Sequence, residues 1–240
     1  MCTALNKRLR SVPAAFFAAV LMIAMPAIAG EAEWKALIDQ ANRHLQQGDL
    51  PRAESSAREA LAEAERTFGK QHRAIDQSLV TLGLVLRNAQ RYAEAEKTLR
   101  QALAMREKAL GPHDPATALV MNNLADVLQL QKNFSEAERW YRRTVPVFEK
   151  AYGTDLRTAV SLGNLGVVMD VQGKHAAAEP LLRRALAMKE KVLGAYSPSV
   201  ALTLTQLADT LNALGRKAEA DTLAARAAAI RKSAAAATKT

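Results

Sequence analysis

The chain has 240 residues, of which 49% are hydrophobic, and a formal net charge of +9, and its length permits one elongated domain. Its single cysteine, Cys2, lies ahead of the first apolar run, so the sequence beyond that run has no disulfides, thiolate nucleophiles or thiolate metal ligands. We interpret the moderate positive charge as solvated surface charge. The alternative is attraction to anionic surfaces such as lipid head groups.

Residues 1–29 have the layout of a secretory signal peptide. Three cations precede an apolar run from Val12 to Met25, and Ala27-Ile28-Ala29 fits the small-x-small pattern of a cleavage site. The apolar run is about fourteen residues long, whereas a bilayer needs about twenty, which disfavours the alternative of an uncleaved anchor. We expect an exported protein, periplasmic or secreted, with no membrane span in the mature chain.

A block of about 42 residues recurs through the rest of the chain. Four clear copies share an alanine at equivalent positions: Ala95, Ala137, Ala178 and Ala220. A fainter first copy has Ala53 at the same register. A fixed period of this length is typical of a solenoid built from stacked supersecondary units.

Each copy predicts two amphipathic helices. In the segment 73–110, apolar residues recur at spacings of three and four, are interrupted near residues 88–91, and then recur again. Gly111 suits the end of the second helix, and Asp114-Pro115 suits the start of the next one. Small residues lie in register on the first helices, at Gly83, Ala125, Gly166 and Ala208. Together with the shared alanines they predict closely packed helix pairs.

This spacing of leucine, glycine and alanine resembles the tetratricopeptide repeat, and strings such as Asn122-Asn123-Leu124-Ala125 and Glu190-Lys191-Val192-Leu193-Gly194 resemble its 42-residue kinesin light chain variety. The resemblance implies an all-α, right-handed α-solenoid of about five repeats within residues 30–232. The predicted repeats are 33–68, 73–111, 114–153, 155–194 and 197–232. The first repeat has Gln40, His44 and Ala57 where later copies have leucine, so we expect a more loosely paired N-terminal cap. We expect residues 233–240 to form a disordered tail.

A peptide-binding groove is predicted on the concave face that the first helices form in such a superhelix. Two groups of residues fall there: the carboxamides Asn122, Asn123, Asn164 and Gln206, and the carboxylates Asp126, Asp170 and Asp209. Carboxamides can both donate to and accept from a peptide backbone, and the kinesin light chain resemblance implies this role for Asn123 and Asn164. The acidic residues favour a basic guest. The alternative is that the amides fasten adjacent helices and that the charges are solvated.

The sequence contains no pattern typical of catalysis. The four histidines are not spaced as metal ligands, and we expect no cofactor. Paired arginines at 142–143 and 183–184 lack interleaved aromatic residues, so we expect no nucleic acid partner. We predict a non-catalytic scaffold that binds a protein or peptide partner, as a monomer or weak oligomer. The alternatives are a self-assembling structural protein and a non-catalytic subunit of an envelope enzyme or secretion complex.

Overall fold

The computed structural model describes the backbone of residues 14–237 and the side chains of residues 29–236. The described part of the chain contains ten α-helices and no strands, which confirms the predicted all-α fold. The helices, in chain order, are α1 (Ala14–Gln46), α2 (Leu50–Phe68), α3 (Arg73–Asn88), α4 (Tyr92–Leu110), α5 (Pro115–Leu130), α6 (Phe134–Tyr152), α7 (Leu156–Val171), α8 (His175–Leu193), α9 (Pro198–Ala213) and α10 (Lys217–Ala237). None of them, over the described residues, is long and apolar enough to cross a membrane.

The described part of the chain forms two compact units, which are divided between Ala89 and Gln90. Unit 1 contains α1 to α3 and unit 2 contains α4 to α10, and within each unit every helix packs against the next one along the chain. The helix ends lie within a few residues of the predicted repeat boundaries. Residues 1–13 of the predicted signal peptide lie outside the described residues, and the following residues form the start of α1.

The turns inside the repeats share one unusual backbone conformation. Equivalent positions have a φ between 60° and 77°, and they are occupied by Gly48, Gln90, Lys132, Gly173 and Gly215. A side chain disfavours this left-handed region, so the glutamine and the lysine show that the repeat geometry sets the turn. Between repeats, Asp114 Oδ1 accepts a hydrogen bond from the Ala116 amide at 2.7 Å, which confirms the predicted helix start.

In unit 1, α1 and α2 pack closely rather than loosely. Ala41, Ala53 and Ala57 are fully buried. Trp34, which is also buried, donates a hydrogen bond to Ser78 Oγ at 2.9 Å. The expectation of looser pairing in the first repeat is therefore wrong. Ala57 replaces a leucine of the later copies, and its small side chain lets the two helices approach each other closely.

In unit 2, the small residues bring paired helices together as predicted. A Cβ added to Gly166 on α7 would lie 2.8 Å from Leu182 Cγ and 3.4 Å from the Ala178 carbonyl oxygen on α8. The next repeat packs through Leu207, Ala208 and Ala220, which form one buried cluster with Leu182 and Leu211.

The C-terminal helix α10 extends further than the predicted repeat. It runs to Ala237, so residues 233–237 of the predicted disordered tail are helical, and residues 238–240 lie outside the described residues. Residues 234–237 are all alanine, the residue with the highest helix propensity, and this continues the helix beyond its packed part.

Arginine–glutamate pairs connect successive second helices in unit 2. Arg100 on α4 contacts Glu136 on α6 at 2.6 Å, and Arg183 on α8 contacts Glu219 on α10 at 3.3 Å. The paired arginines noted in the sequence are all engaged in this way or within their own helix, since Arg142 contacts Glu138 at 2.9 Å, Arg143 contacts Glu107 at 2.9 Å and Arg184 contacts Glu149. Their positive charge is therefore matched locally.

Candidate functional site

The first helices of unit 2 that follow one another are α5, α7 and α9, and α7 contacts both of the others. We call the surface that they form the first-helix face. It carries all the residues predicted to bind a peptide. The structure assigns these residues different environments, and only some of them are available to a guest.

Asp126 and Asn164 bond to each other within the protein. The Asn164 side-chain amide on α7 donates to Asp126 Oδ1 on α5 at 3.1 Å. The same carboxylate oxygen accepts a hydrogen bond from the hydroxyl of Tyr141 on α6, and that tyrosine is fully buried. These contacts fasten three helices together, so Asn164 and Asp126 stabilise the face and leave other residues to meet a guest.

The remaining predicted residues divide into engaged and exposed side chains. Asp170 Oδ1 lies 2.7 Å from His175 Nδ1 at the start of α8. Asn123 and Gln206 are half-buried, and Asp209 is exposed. With two of the three predicted carboxylates held in internal contacts, the acidic strip is reduced to a single exposed charge.

Asn122 has the environment expected of a binding residue. It lines a pocket of about 450 Å³ between α5 and α7. Its Oδ1 atom is buried and has no hydrogen-bond partner among the described residues. Since leaving a buried acceptor unpaired costs about 1–3 kcal/mol, this atom suits a hydrogen-bond donor brought by a ligand.

The walls of this pocket are mainly apolar. Four of its residues supply them: Leu119, Phe148, Leu156 and Val160. Phe148 on α6 is almost fully buried. Leu156, the first residue of α7, is 36% exposed and is therefore the more accessible of the two. The pocket can therefore take an apolar side chain while Asn122 accepts a donor from it or from its backbone.

The rim of the pocket carries a matched ion pair. Arg157 Nε donates to Asp155 Oδ1 at 2.8 Å, and its guanidinium lies 3.7 Å from the centre of the Tyr152 ring. The hydrogen bond from Arg157 holds the pKa of Asp155 below its ordinary value, so both groups are charged at neutral pH. A charged rim around an apolar floor favours a guest with polar groups on either side of an apolar residue.

A larger hollow of about 670 Å³ lies beside α6, between the loop before α5 and Pro146. Three prolines and two exposed cations, Arg143 and Lys150, line it. None of the described side chains that line it has a buried atom without a hydrogen-bond partner, so we regard the smaller Asn122 pocket as the better candidate site.

Sequence reasoning found Asn122 and missed its surroundings. Phe148 and Leu156 come from the second helix of one repeat and the start of the next, and only the folded repeat places them beside Asn122. Lys189 was also missed. It is 6% exposed, although its neighbours in the sequence read as a charged, solvated helix end. The signal that could have revealed it is its register, 41 residues after the apolar Phe148.

Comparison with known proteins identifies the fold. The family model described as "Tetratricopeptide repeat" matches four overlapping ranges, residues 35–108, 75–150, 116–191 and 157–233. No curated protein matches the chain in sequence. The solved structures similar to it include several helical-repeat proteins.

BtubC (BKLC) from P. vanneervenii is 25% identical, with a TM-score of 0.75 over 92% of this chain and 89% of that one. The nearly identical TPR-like repeats of a Podosopora anserina kinesin light chain are 22% identical, with a TM-score of 0.71 over 83% of this chain and 95% of that one. A Rap protein complexed with Competence and Sporulation Factor is 15% identical, with a TM-score of 0.59 over 86% of this chain and 65% of that one. Because the family model covers most of the chain, the protein belongs to the tetratricopeptide repeat family.

Proposed function

We propose that the protein is an exported, non-catalytic adaptor that binds an extended segment of a partner protein on the first-helix face of unit 2. Its family is one of protein-binding scaffolds, which supports an interaction role over an enzymatic one. The observation that carries the proposal is the buried, unpartnered Oδ1 of Asn122 in its apolar pocket.

An extended peptide fits this arrangement for a physical reason. Its backbone N–H groups are obligatory donors, and its side chains alternate in direction, so one side chain can enter the apolar pocket while a neighbouring amide donates to Asn122. The face is held by internal contacts such as the one between Asn164 and Asp126 at 3.1 Å. A preformed surface of this kind loses little conformational entropy on binding.

A display selection tests the binding role. The purified protein without its first 29 residues is immobilised and used to select from a random library of 12-residue peptides, and the affinity of the enriched peptide is measured by calorimetry. We expect Asn122→Ala to weaken binding about tenfold, or ~1.4 kcal/mol. Gln101→Ala removes a carboxamide from an exposed position on α4 and serves as the matched control. Equal affinities for the wild type and both variants would refute the assignment.

The predicted export is tested by locating the N-terminus of the protein that cells produce. Mass spectrometry of the protein recovered from cells that express the full chain would locate its N-terminus. We expect the mature chain to begin at Gly30, after the Ala27-Ile28-Ala29 pattern. Recovery of residues 1–29 on the mature protein would contradict cleavage.

A further inference from the structure

Gly30 lies against the second helix of unit 1, at a position where a side chain has no room. It is a buried residue within α1. A Cβ added to it would lie 2.8 Å from Thr67 Cγ2 and 2.9 Å from Glu63 Oε1, both on α2. Contacts this short force a neighbouring atom to move, so glycine is the residue that fits here without displacing a side chain of α2.

The carboxylate beside Gly30 is itself buried. Glu63 is 8% exposed. Its Oε1 accepts a hydrogen bond from the Thr67 hydroxyl at 2.6 Å, and Arg66 donates to both of its oxygens, at 2.7 Å and 2.8 Å. The hydrogen bond from Thr67 holds the pKa of Glu63 below its ordinary value, so this group is charged at neutral pH. An ionised carboxylate offers about four acceptor sites, so these contacts leave room for a further donor.

Gly30 is also the residue that the predicted cleavage would make the first of the mature chain. Hydrolysis of the Ala29–Gly30 peptide bond by a signal peptidase consumes one water. The C–N bond breaks, a C–O bond forms, and the released amine takes up a proton, which leaves a carboxylate on Ala29 and an ammonium on Gly30. In the uncleaved chain the same nitrogen is an amide within α1 and carries no charge.

The empty Cβ position next to Glu63 can receive this ammonium. A backbone nitrogen lies about 1.5 Å from its Cα, nearly as far as a Cβ does, and the nitrogen of a terminal residue can rotate about the Cα–C bond because no preceding chain holds it. A nitrogen at the Cβ position would lie 2.9 Å from Glu63 Oε1, an ordinary hydrogen-bond length. The Thr67 hydroxyl would turn to accept from the ammonium while it donates to Glu63.

We propose that cleavage after Ala29 creates an ion pair between the new amine of Gly30 and the carboxylate of Glu63, which fixes the start of α1 onto α2. This inference rests on the export part of the proposed function. It adds a structural consequence of processing, because the mature chain gains a contact that its precursor cannot make.

The charges around the new amine favour Glu63 as its partner. Glu31 contacts Lys35 at 2.6 Å, Glu33 lies 3.7 Å from Arg66, and both glutamates are exposed by half or more. Glu63 is buried, so solvent screens an ion pair with it least. The positive end of the helix dipole opposes an ammonium at the first residue of a helix. The amine should therefore stabilise the chain when Glu63 is charged and destabilise it when this residue is made neutral.

A four-way comparison tests the ion pair. The chain that begins at Gly30 is prepared with a free amine and with an Nα-acetyl group, which removes the charge, and each form is made with Glu63 and with Glu63→Gln. Unfolding in urea is followed by the fluorescence of Trp34, which is buried in α1. A Trp140→Phe background removes the other tryptophan, so that the signal reports unit 1.

The sign of the acetylation effect should depend on Glu63. With Glu63 present, we expect acetylation to raise the unfolding equilibrium constant about fivefold, since a hydrogen bond between charged groups is stronger than the opposing helix dipole. In Glu63→Gln, acetylation should lower that constant, because the dipole alone acts on the amine. Glu65→Gln, at an exposed position on α2, is the matched control and should respond as the chain with Glu63 does. A chain that begins at Ala29 places its amine one residue away and should gain no stability from it.

Three results would count against the inference. An acetylation effect that is the same with Glu63 and with Glu63→Gln would overturn it, and so would equal stabilisation by the amine of the chain that begins at Ala29. The second comparison decides the question alone if circular dichroism shows that Glu63→Gln has lost its helices. A first residue other than Gly30 in the protein recovered from cells would overturn the inference together with the predicted cleavage, whereas the peptide selection on the first-helix face would be unaffected.

Discussion

Two glycines on one helix predict opposite effects of the same substitution. Gly163 and Gly166 both lie inside α7 and both are buried. Replacing either by alanine should gain about 1 kcal/mol from helix propensity. The difference in the free energy of unfolding between the two variants therefore reports the contacts that the added methyl group makes.

At Gly166 the methyl group meets atoms that cannot move easily. It would lie 2.8 Å from Leu182 Cγ and 3.4 Å from the Ala178 carbonyl oxygen, and Leu182 is fully buried. Overpacking of a dense core costs about 1–3 kcal/mol, and the branch carbon of a fixed leucine places this site in the upper part of that range. After the propensity gain, we expect Gly166→Ala to destabilise the protein by about 1–2 kcal/mol.

At Gly163 the nearest atom to the methyl group is Ala185 Cβ at 3.6 Å, which is a favourable contact. We expect Gly163→Ala to stabilise the protein by about 1 kcal/mol. Urea unfolding followed by circular dichroism would measure both changes. If the two variants shifted the transition in the same direction, the close approach of α7 and α8 at Gly166 would not be the reason for that glycine.

Two further variants test the core of unit 2. Ala137→Arg, at a fully buried position on α6, should destabilise the protein by at least about 1–3 kcal/mol through overpacking. The control Ala177→Arg, at an exposed position on α8, should leave the melting temperature almost unchanged. Equal melting temperatures for the two variants would refute the packing. Lys189→Met should raise stability at pH 7 by about 1–3 kcal/mol, because methionine needs no hydration when it is buried. Burial lowers the folded-state pKa of Lys189 below its ordinary 10.5, so the unfolded chain holds the proton longer as pH rises. The wild type should therefore gain stability as the pH rises from the folded-state to the unfolded-state pKa of Lys189. A difference in stability between the wild type and Lys189→Met that stayed constant from pH 7 to above 10.5 would contradict this account.

The fold was predictable because its signals are local and repeated. The period, the helix-starting Asp114 and the small Gly166 each depend on neighbours in the same or the adjacent helix. The end of α10 at Ala237 was misjudged because alanine supports a helix even without packing. The loose pairing expected of the first repeat was wrong because small side chains allow close packing as well as leucine does.

The site was less predictable because its contacts join different repeats. Nothing in the sequence shows that Asn164 donates to Asp126 38 residues away, or that Asn122 Oδ1 is left without a donor. The burial of Lys189 is equally hidden, since a lysine near a helix end is normally solvated. These properties depend on the distance between first helices, which only the folded structure defines.

The repeats of unit 2 agree where they pack and differ where a guest would bind. Leucine and alanine recur at the packing positions, as at Leu165 and Leu207 or Ala178 and Ala220. At the position of Asn122 the next repeats have Gly163 and Thr205, and at the position of Phe148 they have Lys189 and Arg231.

In the final repeat, the two residues at these positions bond to each other. Arg231 Nη2 donates to Thr205 Oγ1 at 3.1 Å, so the final repeat satisfies its own cation. Among the described residues, Lys189 Nζ has a hydroxyl of α9 as its one hydrogen-bond partner, and Asn122 Oδ1 has none. A uniform packed frame that leaves the acceptor of Asn122 unsatisfied in its pocket is what a scaffold needs in order to accept a donor from a bound chain.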